Sequence, residues 1–193
     1  MKMLTDNKRY DGETDVFSLD YEGRGVARVD GKALFIEGAM PGERVRFEII
    51  RSKKQFDEAR VIDIIRYSEN RVKPKCRHFD TCGGCSIQHI DPTAQIAFKQ
   101  RIMEEQLERI GKIRPEQILP AIYGTPWHYR DRVKLSISKD AGGHLKIGFK
   151  AKKSHEVIDV DSCVVLPAHI SEKLPLEILR RLSYGYDAII GNS

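Results

Sequence analysis

Four cysteines are the residues best placed to do chemistry in this chain: Cys76, Cys82, Cys85 and Cys163. Three fall within ten residues, in the string Pro74-Lys75-Cys76-Arg77-His78-Phe79-Asp80-Thr81-Cys82-Gly83-Gly84-Cys85, and the fourth lies 78 positions beyond Cys85. The first ten residues carry no apolar run of the secretory kind, so a reducing compartment is expected and a disulfide framework is not. In such a compartment four thiols read better as metal ligands. Structural zinc sites usually pair two short knuckles, whereas this chain offers one knuckle and two single ligands. Three clustered thiolates and one remote thiolate suit a 4Fe-4S cube, which takes one thiolate per iron. Gly83 and Gly84 let the backbone wrap closely around the sulfurs. Zinc is the alternative, with His78 or His89 able to replace a cysteine. Radical chemistry on S-adenosylmethionine uses C-x3-C-x2-C. Here the spacing is C-x5-C-x2-C and a fourth thiol is at hand, so no iron is left open for catalysis.

The charge is unevenly spread. The chain of 193 residues carries a formal net charge of +5. Residues 71–155 hold 17 basic and 8 acidic side chains, whereas residues 1–70 hold 13 and 14, and residues 156–193 hold 3 and 6. A one-sided basic block is the footprint of a nucleic-acid binder. No apolar stretch reaches the length of about 20 residues that a membrane helix needs. A cytoplasmic monomer without membrane association is expected.

The elements that must position the cysteines are mostly strands. Val16–Leu19, Val26–Val29, Ala33–Ile36, Val45–Ile49 and Ala59–Ile64 read as five short strands, with Asp30-Gly31 a two-residue hairpin turn. Five such strands predict a small OB-like β-barrel. After a polar linker and the cysteine string, Asp91-Pro92 predicts a helix start, and the helix is expected over 92–110. Ile96, Met103, Leu107 and Ile110 mark its apolar stripe, with Gly111 ending it. This helix is expected to pack the cysteine lobe against a sheet. Val133–Ile137 and Leu145–Phe149 alternate with basic residues around the turn Asp140-Ala141-Gly142-Gly143. A strand through Val157, Ile158 and Val160 delivers Cys163, and Ser171–Leu182 reads as a helix.

These residues resemble a known family. The run Ser68-Glu69-Asn70-Arg71-Val72-Lys73-Pro74-Lys75-Cys76 leads into Cys82-Gly83-Gly84-Cys85-Ser86-Ile87-Gln88-His89, followed by Tyr129-Arg130-Asp131-Arg132, Gly148-Phe149-Lys150 and Val157-Ile158-Asp159-Val160-Asp161-Ser162-Cys163. Over residues 12–170 the chain is similar to the amino-terminal half of RumA-type 23S rRNA (uracil-5-)-methyltransferases. The resemblance implies a mainly β fold with α+β. Residues 8–66 would be a TRAM RNA-binding barrel, and residues 67–193 a small α+β iron–sulfur domain, incomplete before a Rossmann-like methyltransferase domain. It also matches the four cysteines to the family's cluster ligands. Relatives that modify tRNA tend to lack both features, so the resemblance implies 23S rRNA as the RNA partner.

Methylating C5 of uracil needs a cysteine thiolate that adds to C6, S-adenosylmethionine (SAM) as methyl donor, and a base for the C5 proton. The family keeps these in its carboxyl-terminal domain. The glycines at 142–143 read as a hairpin turn rather than a cofactor loop, and all four thiols are assigned to the cluster. No catalytic residue is therefore expected here, SAM use would come only through a further domain, and the chain is expected to be inactive alone. Expected phosphate contacts are Lys53, Lys54, Arg71, Lys73, Lys75, Arg77, Arg130, Arg132 and Lys134, with Phe56, Phe79 and His89 stacking on bases. The alternative is a stand-alone iron–sulfur or zinc module that docks on a protein without RNA.

Overall fold

The computed structural model describes residues 11–174. They form two compact units. One comprises the described residues up to Lys73 together with Ser86–Ile122, and the other comprises Pro74–Cys85 with the described residues from Tyr123 onward.

The first unit is built on six strands: β1 (Gly12–Asp15), β2 (Ser18–Leu19), β3 (Gly25–Val29), β4 (Lys32–Glu37), β5 (Arg44–Ser52) and β6 (Phe56–Arg66). Their order is β1-β5-β6-β4-β3-β2, with β4 and β6 parallel and the other pairs antiparallel. The two ends of that order, β1 and β2, are consecutive stretches of chain. Val16 N donates to Glu43 O and Phe17 N donates to Val26 O, so the ladder passes from one neighbour to the other through a single bent strand. The ring therefore closes on itself and leaves no long open edge.

Local chemistry explains the turns. Asp30 and Gly31 both take positive φ, 48° and 79°, as a two-residue hairpin of the primed type requires. Alternation sends Ala27, Leu34, Ile36, Val45, Phe47 and Ala59 inward, where they form one buried cluster with Val16 and Ala39. At Gly25 a Cβ would stand 2.8 Å from both Ala39 Cβ and Val16 Cγ1, so the residue must be glycine for the strand to cross there.

The helix α1 (Pro92–Arg109) begins where Asp91 caps it, its Oδ1 accepting from the backbone N–H of Thr93 and Ala94. Its packing face differs from the expected stripe. Met103 and Ile110 are exposed, while Ala94, Phe98 and Ile102, at i, i+4 and i+8, pack with Ile87 on a second cluster of Leu19, Met40 and Ile90. The helix thus covers an end of the barrel unit.

The second unit contains a three-stranded antiparallel sheet, β7 (Ser136–Lys139), β8 (Leu145–Lys150) and β9 (Val157–Asp159), then a short helix α2 (Ala168–Ser171). The strand expected from Val133 starts three residues late. Beyond Gly148, the edge of β8 that β7 would occupy is taken by the cysteine loop: Gly83 N donates to Lys150 O, Lys152 N donates to Thr81 O, and Cys82 bridges Ala151. The helix expected over 171–182 overlaps α2 at Ser171 only; its remainder lies outside the described residues, apart from residues up to Leu174. Among the described residues no helix is long and apolar enough to cross a membrane.

Candidate cysteine site and nucleic-acid interface

Successive tight turns fold the loop between Cys76 and Cys82. Phe79 N donates to Cys76 O at 3.2 Å, and Cys82 N and Thr81 N both donate to His78 O, at 2.7 and 3.1 Å. The loop is then stitched to β8 at Gly83, where a Cβ would sit 3.0 Å from Lys150 O. Two glycines in a row therefore serve two purposes: Gly83 allows the close approach, and Gly84 N–H reaches Cys82 Sγ at 3.4 Å. Cys163 arrives on the turn after β9. Its N–H donates to the hydroxyl of Ser171, buried at the end of α2, at 2.8 Å, and its carbonyl accepts from Leu166.

The fold thus gathers all four thiols into one neighbourhood of the second unit, where they act on one another electrostatically. Burial pushes the Cys76 thiol up, and the nearness of Cys163, Cys82 and Cys85 pushes it further, against a backbone hydrogen bond at His78. Burial likewise raises Cys82, joined by Cys85 and Cys163 and opposed by the Gly84 amide and the Lys152 ammonium. Four thiolates so placed repel each other until positive charge is set among them. Among the described residues, however, no three of His, Cys, Asp and Glu converge on a point where one metal ion would sit.

Cations surround this loop. Lys75 Nζ lies 4.8 Å above the Trp127 ring, and Lys152 Nζ lies 4.5 Å above Phe79. Arg77 pairs with Asp161 at 2.7 Å, and Arg130 Nη1 reaches Gly84 O at 3.4 Å. The segment carrying Trp127 runs beside the Cys163 turn, with His128 N on Val164 O and Arg130 N on Val165 O. Trp127, the single tryptophan of the chain, is not among the expected contact residues.

The expected RNA contacts divide sharply. Lys73, Lys75, Arg77, Arg130, Arg132 and Lys134 are exposed, as is Lys54 at the β5–β6 turn. Lys53 covers the Phe56 ring at 4.6 Å, and Phe56 meets Phe35 edge-on at 5.3 Å, which leaves Phe56 half-buried. Three residues do not fit the expectation. Phe79 is only 6% exposed and its ring is capped by Lys152; His89 is only 2% exposed. His89 sits between buried Gln88 and Ile90, pinned where Val72 N donates to His89 O and Arg71 bridges Ile90. Neither ring offers a face to a base. Arg71 is the third. Its Nε donates to Glu43 Oε1 at 2.5 Å, and its Nη2 donates to Glu43 Oε2 at 2.9 Å and Gly38 O at 2.6 Å. Glu43 is fully buried and also accepts from Met40 N. The guanidinium is committed to that carboxylate rather than to a phosphate.

Comparison with known proteins adds the family. Residues 13–62 match the TRAM domain family. The chain is 59% identical over 160 residues to the 23S rRNA (uracil(1939)-C(5))-methyltransferase RlmD of Neisseria lactamica (strain 020-06), covering 83% of this chain and 35% of that protein. It is 50% identical over 159 residues to the protein of the same name from Azoarcus sp. (strain BH72), covering 82% of this chain and 37% of that one. Among solved structures, the Pyrococcus abyssi tRNA (uracil-54, C5)-methyltransferase in complex with S-adenosyl-L-homocysteine superposes with a TM-score of 0.57 at 25% identity. That match covers 91% of this chain and 36% of the other. The chain therefore spans little more than a third of the length of the proteins it matches. The resemblance stands: over four-fifths of its length this chain is similar to 23S rRNA uracil-5-methyltransferases, and its residues 13–62 match the TRAM domain family.

Proposed function

We propose that this chain is the RNA-binding, 4Fe-4S-carrying part of a SAM-dependent 23S rRNA uracil-5-methyltransferase. The observation that carries the proposal is the 59% identity over 160 residues, 83% of this chain, to a 23S rRNA methyltransferase. Residues 8–66 act as an OB-like TRAM barrel; the closed strand order and the parallel β4–β6 pair support that reading. Residues 67–193 carry the cluster.

Cys76, Cys82, Cys85 and Cys163 are the residues that would hold the cluster. Their donor chemistry suits it: four thiols in mutual electrostatic reach, a Gly84 amide aimed at one sulfur and a Lys152 ammonium beside it. Zinc is the alternative; a cube takes one thiolate per iron, and the four cysteines match that number. When bound, it supplies positive iron centres that relieve thiolate repulsion and a covalent tie between the loop and the Cys163 turn. It is structural in this reading, and no step of methyl transfer passes through it.

Methyl transfer itself belongs to a further part of the protein. The methyl donor is SAM, whose demethylated product occupies the archaeal relative. The solved relative acts on tRNA, so possession of this fold does not alone select ribosomal RNA. Deleting the gene in its host and mapping 5-methyluridine tests the proposal. Loss from 23S rRNA is expected at the position equivalent to the relatives' uridine 1939. Loss from tRNA instead overturns the substrate, and unchanged methylation overturns the activity.

A further inference from the structure

Part of the basic block falls on one structural element, the β7–β8 hairpin and its flanks. Between Lys134 and His155 the chain carries six lysines, two histidines and a single carboxylate, Asp140. That carboxylate is spent on the β7–β8 turn. Its Oδ1 accepts from the backbone N–H of Gly142 and His144, each at 2.9 Å, and the His144 backbone N–H is the leading cause holding its pKa below the usual carboxylate range.

The lysines are set by strand register. Ser138 stands opposite Lys146 and Ser136 opposite Gly148, so Ser136, Ser138, Lys146 and Lys150 share one face of the β7–β8 hairpin. Lys152, Lys153 and His155 follow on the exposed turn after β8. Lys150 Nζ lies only 3.4 Å from His155 Nδ1. Among the described residues Lys134, Lys139, Lys150 and Lys152 form no ion pair, and Lys146 meets Glu156 only at 3.8 Å.

The barrel shows the opposite economy of charge. Residues 11–70 hold 13 carboxylates against 10 cations. Lys32, Arg44, Arg46, Arg60 and Arg66 each contact a carboxylate of the barrel at 2.6–2.9 Å. At those five positions a phosphate would have to displace a carboxylate; one approaching the hairpin meets ammonium groups and serine hydroxyls.

We infer that the β7–β8 hairpin and the turn that follows it are the principal phosphate-binding surface of this chain, with the serine hydroxyls as additional donors. The inference rests on the RNA-binding reading above and deepens it. Lysine ammonium groups are point charges without the planar fork that reads guanine. The surface therefore grips an RNA backbone irrespective of sequence and leaves base selection to other parts of the protein.

The test is RNA binding by the full chain, followed by fluorescence anisotropy with a short uridine-loop RNA hairpin across a salt series. Three proteins are compared: wild type, the triple variant K146A/K150A/K152A, and the barrel variant R51A/K54A. Circular dichroism checks that all three are folded. Each lysine in contact contributes about 0.7–0.9 to the slope of log affinity against log salt. The triple variant is expected to lose about 2 to 3 from that slope, and the barrel variant less than about 1. If wild type binds with a steep slope that the triple variant keeps, the hairpin assignment is overturned and the RNA-binding reading stands. If the barrel variant loses the larger share, the surface lies on the barrel. If wild type does not bind RNA but captures an acidic protein, both fall.

Discussion

Replacing Arg71 by methionine separates two roles that the sequence cannot distinguish. The guanidinium donates two hydrogen bonds to Glu43 and one to Gly38 O, with its side chain only 18% exposed and that of Glu43 at 0%. Methionine retains much of the aliphatic stem but none of the donors. Glu43 is then left buried with the Met40 N–H as its remaining backbone donor. Removing one partner of a buried ion pair costs about 3–5 kcal/mol, because the surviving charge has no counterion. For a unit of roughly 100 residues, each kcal/mol moves the melting temperature by about 4 °C or more, so a drop of at least about 12 °C is expected. The double variant E43Q/R71M, which removes the stranded charge, is expected to recover part of the loss, and the cycle isolates the coupling. Differential scanning calorimetry at constant pH measures it. A phosphate contact behaves otherwise: the melting temperature of R71M would stay within about 1 °C while RNA affinity and its salt slope fell. That outcome refutes the assignment of Arg71 to the barrel.

Other perturbations test the remaining joints of the fold. Purified without oxygen, the chain is expected to be brown, with a broad absorption near roughly 400 nm, and Cys163→Ser is expected to lose the colour and loosen the second unit to proteolysis. A colourless protein with stoichiometric zinc would reverse the choice of metal. Gly25→Ala places a methyl 2.8 Å from Ala39 and Val16 and is expected to destabilise the barrel by about 1–3 kcal/mol in a urea titration. Asp91→Ala removes the acceptor for two N–H groups of α1 and should cost about 1 kcal/mol, with Asp91→Ser close to neutral.

Local signals carried the sequence reading a long way. Asp30-Gly31 marks its hairpin because only a pair tolerant of positive φ makes that turn, and Asp91-Pro92 marks a helix start because both residues suit the first unsatisfied N–H groups. For the thiols, expected to share a metal site, the fold shows Cys163, Cys82 and Cys85 acting electrostatically on Cys76, while among the described residues no three of His, Cys, Asp and Glu form a metal-binding group. What could not be read depends on partners distant in sequence. Arg71 looks like a surface cation in a basic linker, and only the fold reveals Glu43, 28 positions earlier, as its buried partner. Phe79 and His89 look available among polar neighbours, yet Lys152 covers one and the linker pins the other. The helix stripe was misphased for a similar reason. Ile96, Met103, Leu107 and Ile110 are the bulkier set, but the smaller set of Ala94, Phe98 and Ile102 faces Leu19, Met40 and Ile90.

Counted over a long block, the basic excess looked like a property of the whole region between residues 71 and 155. Position by position it has two different fates. Arg71 is buried on a carboxylate, Arg77 pairs with Asp161, and Arg101 pairs with Glu105 along the helix surface. The lysines of the β7–β8 hairpin have no comparable set of acids, since Asp140 is held in its own turn. Net charge therefore points to a partner only after internally neutralised cations are set aside. Among what remains are the lysines of a hairpin whose far end is hydrogen-bonded to the cysteine loop, with Gly83 N on Lys150 O and Lys152 N on Thr81 O. Ordering that loop also orders the lysines at 150 and 152. If the four thiols hold a cluster, its removal is expected to weaken RNA binding by disordering these side chains. Anisotropy titrations before and after chelation, repeated with K146A/K150A/K152A, decide the point: the variant should lose most of its sensitivity to chelation. Equal sensitivity in both proteins would break the link between the cysteine site and the hairpin.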